Sequence, residues 1–221
     1  MSYLAWQSDT LSETIYWDYA SKTMKEVNNF ELNRQIFHVF LGIVIVALLL
    51  YNFIDKNIIL AATLMGIILS YLSKKIRIPI VYNLLEEFER NGELEKFPGK
   101  GIIFYFIGIY IVLLLFPKDI AMASIMVLAF GDSVSHIFGL HFGRIKHPLS
   151  KSKSIEGTMA GFVAGFIGAL VFLPWWESIL ASLISMIVEA IEIKIGTQHI
   201  DDNLIVPFVA GVVVWMVRLV K

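Results

Sequence analysis

Long apolar runs recur along this chain, and short polar breaks separate them. Such runs are typical of helices that span a membrane. Hydrophobic residues make up 57% of the 221 positions, whereas soluble domains average about 45–50%. We therefore predict an all-α fold, a polytopic membrane helical bundle with about seven transmembrane helices, whose runs include residues 36–53, 58–72, 102–116, 119–140 and 204–220.

The first 30 residues differ from the rest, because aromatic residues are mixed there with acids and lysines. Trp6, Tyr16 and Trp17 suit the depth of lipid headgroups. We predict an N-terminal interfacial helix over residues 1–30 and a transmembrane domain over residues 31–221. Acids stand where a signal peptide has a basic region, so no cleavable signal peptide is expected. The absence of cysteine excludes disulfides and thiolate chemistry.

Residues 130–158 gather glycines, an acid, histidines and basic residues inside the apolar chain. On a helix over residues 119–140, small residues four positions apart form one smooth face, with Asp132 and His136 beside it. This face and the glycines after residue 155 predict close packing between the fourth and fifth spans. The small residues are Gly131, Ser135, Gly139 and Gly143.

A cationic segment follows the smooth face and leads into the fifth span. Its charges would attract phosphates, as would the helix start at Ser154-Ile155-Glu156-Gly157-Thr158. A membrane-embedded carboxylate next to a basic loop indicates a site for a metal ion and a nucleotide. The basic residues are Arg144, Lys146, His147, Lys151 and Lys153.

The sixth span carries a polar stripe, although its other faces are apolar. The stripe must face protein or water, because polar groups are costly in lipid. An aromatic turn is predicted before it at Trp175-Trp176-Glu177. The third span, by contrast, is apolar apart from tyrosines and is predicted to serve packing or to face lipid. The stripe consists of Ser182, Ser185, Glu189 and Glu192.

Polar residues also cluster at the starts of the first and last spans. One acid of Asp201-Asp202-Asn203 is accounted for as a helix cap, and the group exceeds what a cap requires. Glu31, Arg34 and His38 share a helical face. They form either a helix-start ion pair with a satisfied histidine or part of a site.

Lysine and arginine are distributed unevenly between the two sides of the predicted bundle. Most precede the first span or follow the second, fourth and sixth, so the positive-inside rule places these segments in the cytoplasm. The polar groups described above share this side, which predicts an active site facing the cytoplasm. In the connection over residues 79–101, Glu89 and Arg90 lie on the charged face of a segment predicted to rest on the membrane surface.

These motifs resemble those of the CTP-dependent polyprenol kinase family, which includes dolichol kinase and phytol kinase. The strongest matches are Gly131-Asp132-Ser133, residues 151–158 and residues 200–207. Weaker matches lie at the first span and in the long connection, so the resemblance covers about residues 31–211. The central motifs are also similar to those of phosphatidate cytidylyltransferases. The glycine-rich histidine-aspartate-arginine signature expected at the C-terminal end of those enzymes is absent, however.

The resemblance implies that the γ-phosphoryl group of CTP is transferred to a long-chain isoprenoid alcohol such as dolichol, giving a polyprenyl monophosphate and CDP. Residues 31–221 would then be a transmembrane kinase domain. Mg²⁺ would be its cofactor, and CTP, the alcohol and the lipid bilayer its partners. We expect no nucleic-acid partner, and the oligomeric state is left open.

The resemblance also implies residue roles. Asp132, with Asp201 or Asp202, is expected to bind Mg²⁺, and Glu189 or Asp202 to polarise the acceptor hydroxyl. His136 is a further candidate, as are Glu31, Arg34, His38, Glu89, Arg90 and Asn203. The residues expected at the nucleotide are Gly131, Ser133, Arg144, Lys146, Lys151, Lys153, Ser154, Glu156 and Gly157.

Two other functions fit parts of the pattern. A cytidylyltransferase would make a CDP-lipid and pyrophosphate from a phosphatidate-like substrate. An ion-coupled transporter would use Asp132, His136 and Glu189 as an ion path. The clustering of polar groups on one side disfavours a transporter, because a transport path reaches both faces of the membrane. A purely structural protein is disfavoured most, since it has no use for so many charges in apolar segments.

Overall fold

The computed structural model describes residues 29–73, 97–150, 152–191, 193–195 and 198–220. The predicted interfacial helix lies almost entirely outside these ranges. The surface segment with Glu89 and Arg90 also falls outside them, as do Lys151 and Glu192.

Helices make up nearly all of the described structure, which confirms the all-α prediction for this part of the chain. Two short antiparallel strands, β1 (Lys194–Ile195) and β2 (Gln198–His199), form a hairpin before the last helix. The helices are α1 (Asn29–Leu50), α2 (Lys56–Ser73), α3 (Lys100–Leu115), α4 (Lys118–Phe142), α5 (Ile155–Ala169), α6 (Trp175–Glu189) and α7 (Asp202–Leu219).

Four of these helices, α1, α2, α4 and α7, are long and apolar enough to cross a membrane. The helices α3 and α5 are apolar but have only 16 and 15 residues, whereas a span of conventional length needs about 20 residues. The described part of the chain therefore fits a multi-pass membrane protein, and the predicted count of about seven spans is not confirmed.

The aromatic turn predicted at Trp175-Trp176-Glu177 is wrong, because these residues form the first turn of α6. Pro174 precedes the helix with a backbone suited to its start. Glu177 is buried at this end of the bundle and receives hydrogen bonds from Arg218. The charged Arg218 of α7 thus stabilises a buried acid in the first turn of α6.

The helix α4 lies at the centre of the bundle, and 78% of its apolar window is buried. It contacts α3, α5, α6 and α7. Its middle section, Val127–Asp132, is a π-helical turn. A π-turn inserts extra backbone into an α-helix and changes the direction in which the following side chains point. Asp132 is the last residue of this turn.

Glycines bring α4 and α5 into backbone contact, as the small-residue face predicted. A Cβ atom added to Gly161 would lie 2.6 Å from the carbonyl oxygen of Gly131 and 2.7 Å from Cβ of Ser135. A Cβ atom on Gly157 would lie 2.7 Å from the carbonyl oxygen of Ser135. The two helices can approach this closely only because neither glycine has a side chain.

An ion cluster joins three helices at the C-terminal end of α7. Arg218 Nη1 lies 2.7 Å from Asp119 Oδ2 at the start of α4. Arg218 Nη2 lies 2.7 Å from Glu177 Oε2 at the start of α6. This cluster fixes one end of α7 against α4 and α6.

We expect Gly161→Ala to separate α4 from α5 and to lower the free energy of unfolding by about 1–3 kcal/mol, the usual cost of overpacking. Thermal unfolding in detergent micelles measures the effect. Gly101→Ala is the matched control, because a Cβ atom there would meet nothing within 4 Å. Equal melting temperatures for the two variants would contradict the close contact.

Candidate functional site

Asp132 is a buried carboxylate in the central helix. Its side chain is 8% exposed, and its Oδ1 atom has no hydrogen-bond partner in the described part of the chain. His136, one helical turn later, places Nδ1 3.6 Å from this oxygen. An unpartnered carboxylate oxygen in a protein interior is costly, and its presence indicates a ligand.

Glu189, the last residue of α6, faces Asp132 from a neighbouring helix. Its Oε2 atom is also buried without a partner among the described residues. Asp132, His136 and Glu189 each offer one ligating atom, and these atoms lie within 4.8 Å of one another. We call these three residues, two acids and a histidine, the acidic trio.

Lys153 links the acidic trio to the start of α7. Its ammonium donates to Glu189 Oε1 at 2.6 Å and to the Glu189 carbonyl oxygen at 2.6 Å. It also donates to Asp202 Oδ2 at 2.9 Å. The structure therefore brings the basic loop and the Asp201-Asp202-Asn203 motif to one site, as the sequence predicted.

The charge of Lys153 is stabilised by these carboxylates. Burial alone would lower the pKa of the Lys153 ammonium, but the carboxylates of Glu189 and Asp202 outweigh burial and raise this pKa above its ordinary value. Asp132 contributes in the same direction, so it too lies within electrostatic reach of Lys153. The three carboxylates thus favour the charged form of Lys153.

The acidic trio suits a small divalent cation. Mg²⁺ prefers oxygen ligands and commonly binds through one or two carboxylates, with water or phosphate completing its shell. The unpartnered oxygens of Asp132 and Glu189 match this requirement. The Mg²⁺ roles predicted for Asp201 and Asp202 stay predictions. In this structure Asp201 accepts a hydrogen bond from the backbone N–H of Asn203 at 3.1 Å and caps α7.

The loop between α4 and α5 is held in a defined shape by backbone hydrogen bonds. The N–H of His147 donates to the Lys153 carbonyl at 2.9 Å, and the N–H of Ile155 donates to the Ile145 carbonyl at 3.0 Å. The carboxylate of Glu156 accepts from the N–H of Ile145 at 3.1 Å. These bonds fix the backbone of Lys153, whereas Arg144 and Lys146 are exposed to solvent.

The other predicted nucleotide residues lie around the same helix ends. The Ser154 hydroxyl accepts from the Gly157 N–H at 3.1 Å and caps α5. The hydroxyl of Ser133 is buried without a partner in the part of the chain that the structure describes. Gly131 packs against Met186 of α6, which lies 3.0 Å from the position of an added Cβ. Asn203 donates to the Gly101 carbonyl at 3.4 Å.

The polar face of α1 also turns inward. His38 is buried, and its carbonyl accepts a hydrogen bond from the Tyr105 hydroxyl at 3.1 Å. The ring of His38 lies 5.0 Å from that of Tyr105. Glu31 accepts from Arg34 at 2.5 Å, which matches the predicted ion pair. Tyr105 thus packs the third span, α3, against α1, which agrees with the packing role predicted for that span.

Gln35 is a buried polar residue that the sequence analysis did not identify. Its amide donates to Glu31 Oε1 at 3.2 Å. It lies four residues after Glu31 and three before His38, so it belongs to the same helical face. The spacing alone marked Gln35 as a member of this face. The sequence argument relied on charged residues and histidine, and Gln35 carries no charge.

Comparison with known proteins gives relatives of three kinds. The uncharacterized protein MJ1137 of Methanocaldococcus jannaschii is 36% identical over 190 residues, which cover 83% of this chain and 92% of that protein. The CTP-dependent diacylglycerol kinase 1 of Schizosaccharomyces pombe is 28% identical over 142 residues, 57% of this chain and 63% of that kinase. A probable chloroplastic phytol kinase of Triticum aestivum is 29% identical over 150 residues, 60% of this chain and 49% of that protein.

The chain thus spans between about half and two thirds of the length of these two kinases. No protein-family model matches the chain. No solved structure matches it significantly. The named relatives support a family of CTP-dependent lipid kinases, without deciding which lipid is phosphorylated.

We expect Lys153→Met to destabilise the protein, because the Glu189 carboxylate, whose side chain is 0% exposed, would lose its counter-ion. Breaking a buried ion pair in this way costs about 3–5 kcal/mol. Denaturant unfolding in detergent micelles measures the loss.

Lys146→Met is the matched control on the exposed part of the same loop and should unfold like the wild type. The double variant Lys153→Met/Glu189→Gln should recover part of the loss, because it removes the unpaired charge. A Lys153→Met protein as stable as the control would show that this ion pair does not hold the site together.

Proposed function

The chain belongs to the same family as the Methanocaldococcus jannaschii protein MJ1137, and we propose that it is a membrane lipid kinase. In this proposal it transfers the γ-phosphate of CTP to the hydroxyl of a lipid alcohol and releases CDP. The acceptor that we propose is a long-chain polyprenol such as dolichol, which would give a polyprenyl monophosphate. One relative is named as a phytol kinase, and phytol is itself an isoprenoid alcohol. Another is named as a diacylglycerol kinase, so diacylglycerol is the competing acceptor.

The observation that carries this proposal is the contact of Lys153 with Glu189 and Asp202 beside Asp132. Phosphoryl transfer requires little covalent help from a protein. It depends on cations that spread the phosphate charge, on carboxylates that hold a metal ion, and on correct positioning. A half-buried lysine next to a trio with unpartnered carboxylate oxygens supplies these parts in one place.

Asp132 and Glu189 would hold Mg²⁺, with His136 beside them. When bound, Mg²⁺ supplies charge neutralisation on the phosphate oxygens. Among the protein groups, Lys153, whose three N–H donors are taken by Glu189 and Asp202, would act on the triphosphate through its charge. The exposed Arg144 and Lys146 would meet the solvent side of the triphosphate. The first backbone N–H groups of α5, next to Ser154, would offer further donors.

Asp202 is the proposed proton acceptor. Its side chain is 31% exposed, which leaves it reachable at the edge of the site. The acceptor oxygen would form a bond to the γ-phosphorus while the bond from that phosphorus to the bridging oxygen breaks. The hydroxyl proton would pass to the Asp202 carboxylate, and CDP would leave.

We propose that this site faces the cytoplasm. The loop that carries Lys153, and most other lysine- and arginine-rich segments, would lie on that side according to the positive-inside rule. CTP would then arrive from the aqueous side and the alcohol from the bilayer.

The reaction products test the proposal directly. With CTP labelled at the γ-position and a polyprenol in nanodiscs, the purified protein should transfer label to the lipid and release CDP. Parallel reactions with diacylglycerol and with ATP define the acceptor and the donor. Formation of a CDP-lipid with release of pyrophosphate would overturn the kinase proposal in favour of a cytidylyltransferase.

We expect Asp132→Asn to lower kcat by at least about 100-fold, because it removes a charge from the proposed cation shell without changing side-chain size. Its affinity for Mn²⁺, used as a spectroscopic probe, should fall as well. Asp55→Asn is the matched control at an exposed helix start, where asparagine caps as well as aspartate. Full activity of Asp132→Asn at saturating Mg²⁺ would contradict the role of this carboxylate.

A further inference from the structure

We propose that Arg34 and Gln35 of α1 form the subsite that binds the hydroxyl group of the lipid alcohol. This inference rests on the proposed kinase function and adds the residues that position the acceptor. Both are positioning residues, distinct from the carboxylates to which the proton passes.

Each of these side chains has a buried polar atom without a partner among the described residues. The Nε atom of Arg34 lacks an acceptor, and the Oε1 atom of Gln35 lacks a donor. Gln35 is 0% exposed, so bulk water does not satisfy its oxygen. Buried donors and acceptors without partners destabilise a protein. A ligand that paired both atoms would remove this destabilisation.

Glu31 holds the two side chains in place. Its Oε1 atom accepts from Arg34 Nη2 at 2.5 Å and from Gln35 Nε2 at 3.2 Å. These bonds use Nη2 of Arg34 and Nε2 of Gln35 and leave the Nε–H donor and the Oε1 acceptor available. The two side chains, held by the same oxygen of Glu31, therefore offer an unused donor and an unused acceptor.

A hydroxyl group is the complement of this pair. Its oxygen accepts from Arg34 Nε–H, and its proton is donated to Gln35 Oε1. An ester carbonyl or a phosphate oxygen can accept from Arg34 but cannot donate to Gln35. Rotation about the C–O bond of the alcohol then turns the hydroxyl proton away from Gln35 towards the proton acceptor.

The packing of α1 places this pair on the face of α1 that meets the central helix. A Cβ atom on Gly42 would lie 2.5 Å from Cβ of Ala129 in the π-turn, so α1 touches α4 within a few residues of Asp132. Gln35 lies seven residues before Gly42, which puts the two residues on the same helical face. A molecule held by Arg34 and Gln35 would therefore lie on the side of α1 that faces α4.

The surroundings of α1 favour a lipid rather than a nucleotide. Ile36 and Phe40 are 55% and 63% exposed on a helix long enough to cross a membrane, so the outer face of α1 suits hydrocarbon. The cations proposed for the triphosphate belong to the loop between α4 and α5 instead. A lipid alcohol can reach α1 sideways through the bilayer with its polar end leading.

Gln35→Leu tests this subsite, because leucine removes the acceptor atom and keeps a similar volume. We expect the KM for the lipid alcohol to rise about tenfold or more, as loss of one buried hydrogen bond predicts, while the KM for CTP changes less than twofold. Binding of a tritiated polyprenol, measured without nucleotide, should weaken by the same factor. Thr63→Val, another buried polar-to-apolar change in a long helix, is the matched control and should leave lipid binding unchanged.

Arg34→Lys provides a second variant if Gln35→Leu does not fold. It keeps the positive charge next to Glu31 but removes the Nε–H donor, so lipid affinity should again fall about tenfold. The inference is overturned if lipid binding is unchanged in both folded variants, or in Arg34→Lys alone when Gln35→Leu does not fold. The pair would then be a site for a structural water. Because binding is measured without CTP, that result differs from failure of the proposed function, in which the wild type binds the alcohol but forms no lipid phosphate.

Discussion

The rest of the site depends on the ion pairs of the half-buried Lys153 ammonium. It satisfies carboxylates from two helices, and its backbone is fixed by the loop that joins two others. Without it, Glu189 and Asp202 would repel each other and Asp132 across a short distance in apolar surroundings. A cation supplied by the chain itself therefore allows several acids to assemble before any substrate binds.

The backbone of α4 and α5 determines where this assembly occurs. The π-turn ends at Asp132, and the glycines that follow let α5 approach until the helices touch through their main chains. Close contact at Gly161 brings the N-terminus of α5, and with it Lys153, towards the carboxylates. Small residues and an irregular helical turn thus do as much to position the site as the charged residues that carry its chemistry.

Much of the site could be predicted from the sequence, because charged residues in apolar runs are costly and their presence requires an explanation. That argument identified Asp132 and Glu189, whereas Lys153 was identified from the cationic loop. At the start of the last span, one acid was predicted to be a helix cap, as Asp201 is, and the excess of acids there pointed to Asp202. The argument from charge could not find Gln35, which carries no charge, or the π-turn, which has no characteristic sequence pattern. The span count was not confirmed because an apolar run shows where a helix lies but not how much of the bilayer that helix crosses.

The short length of α5 and α6 has a consequence for the membrane itself. Fifteen residues in each helix, at about 1.5 Å per residue, extend about 22 Å, compared with a hydrocarbon thickness of about 30 Å. A helix that is shorter than the hydrocarbon thickness is accommodated in a bilayer by local thinning or by recessing of the helix ends below the surface. If α5 and α6 are inserted in this way, the start of α5 and the end of α6, where Lys153 and Glu189 meet, would lie at the depth of lipid headgroups or deeper. A lipid anchored by its chains can present its polar end at that depth without being extracted into water.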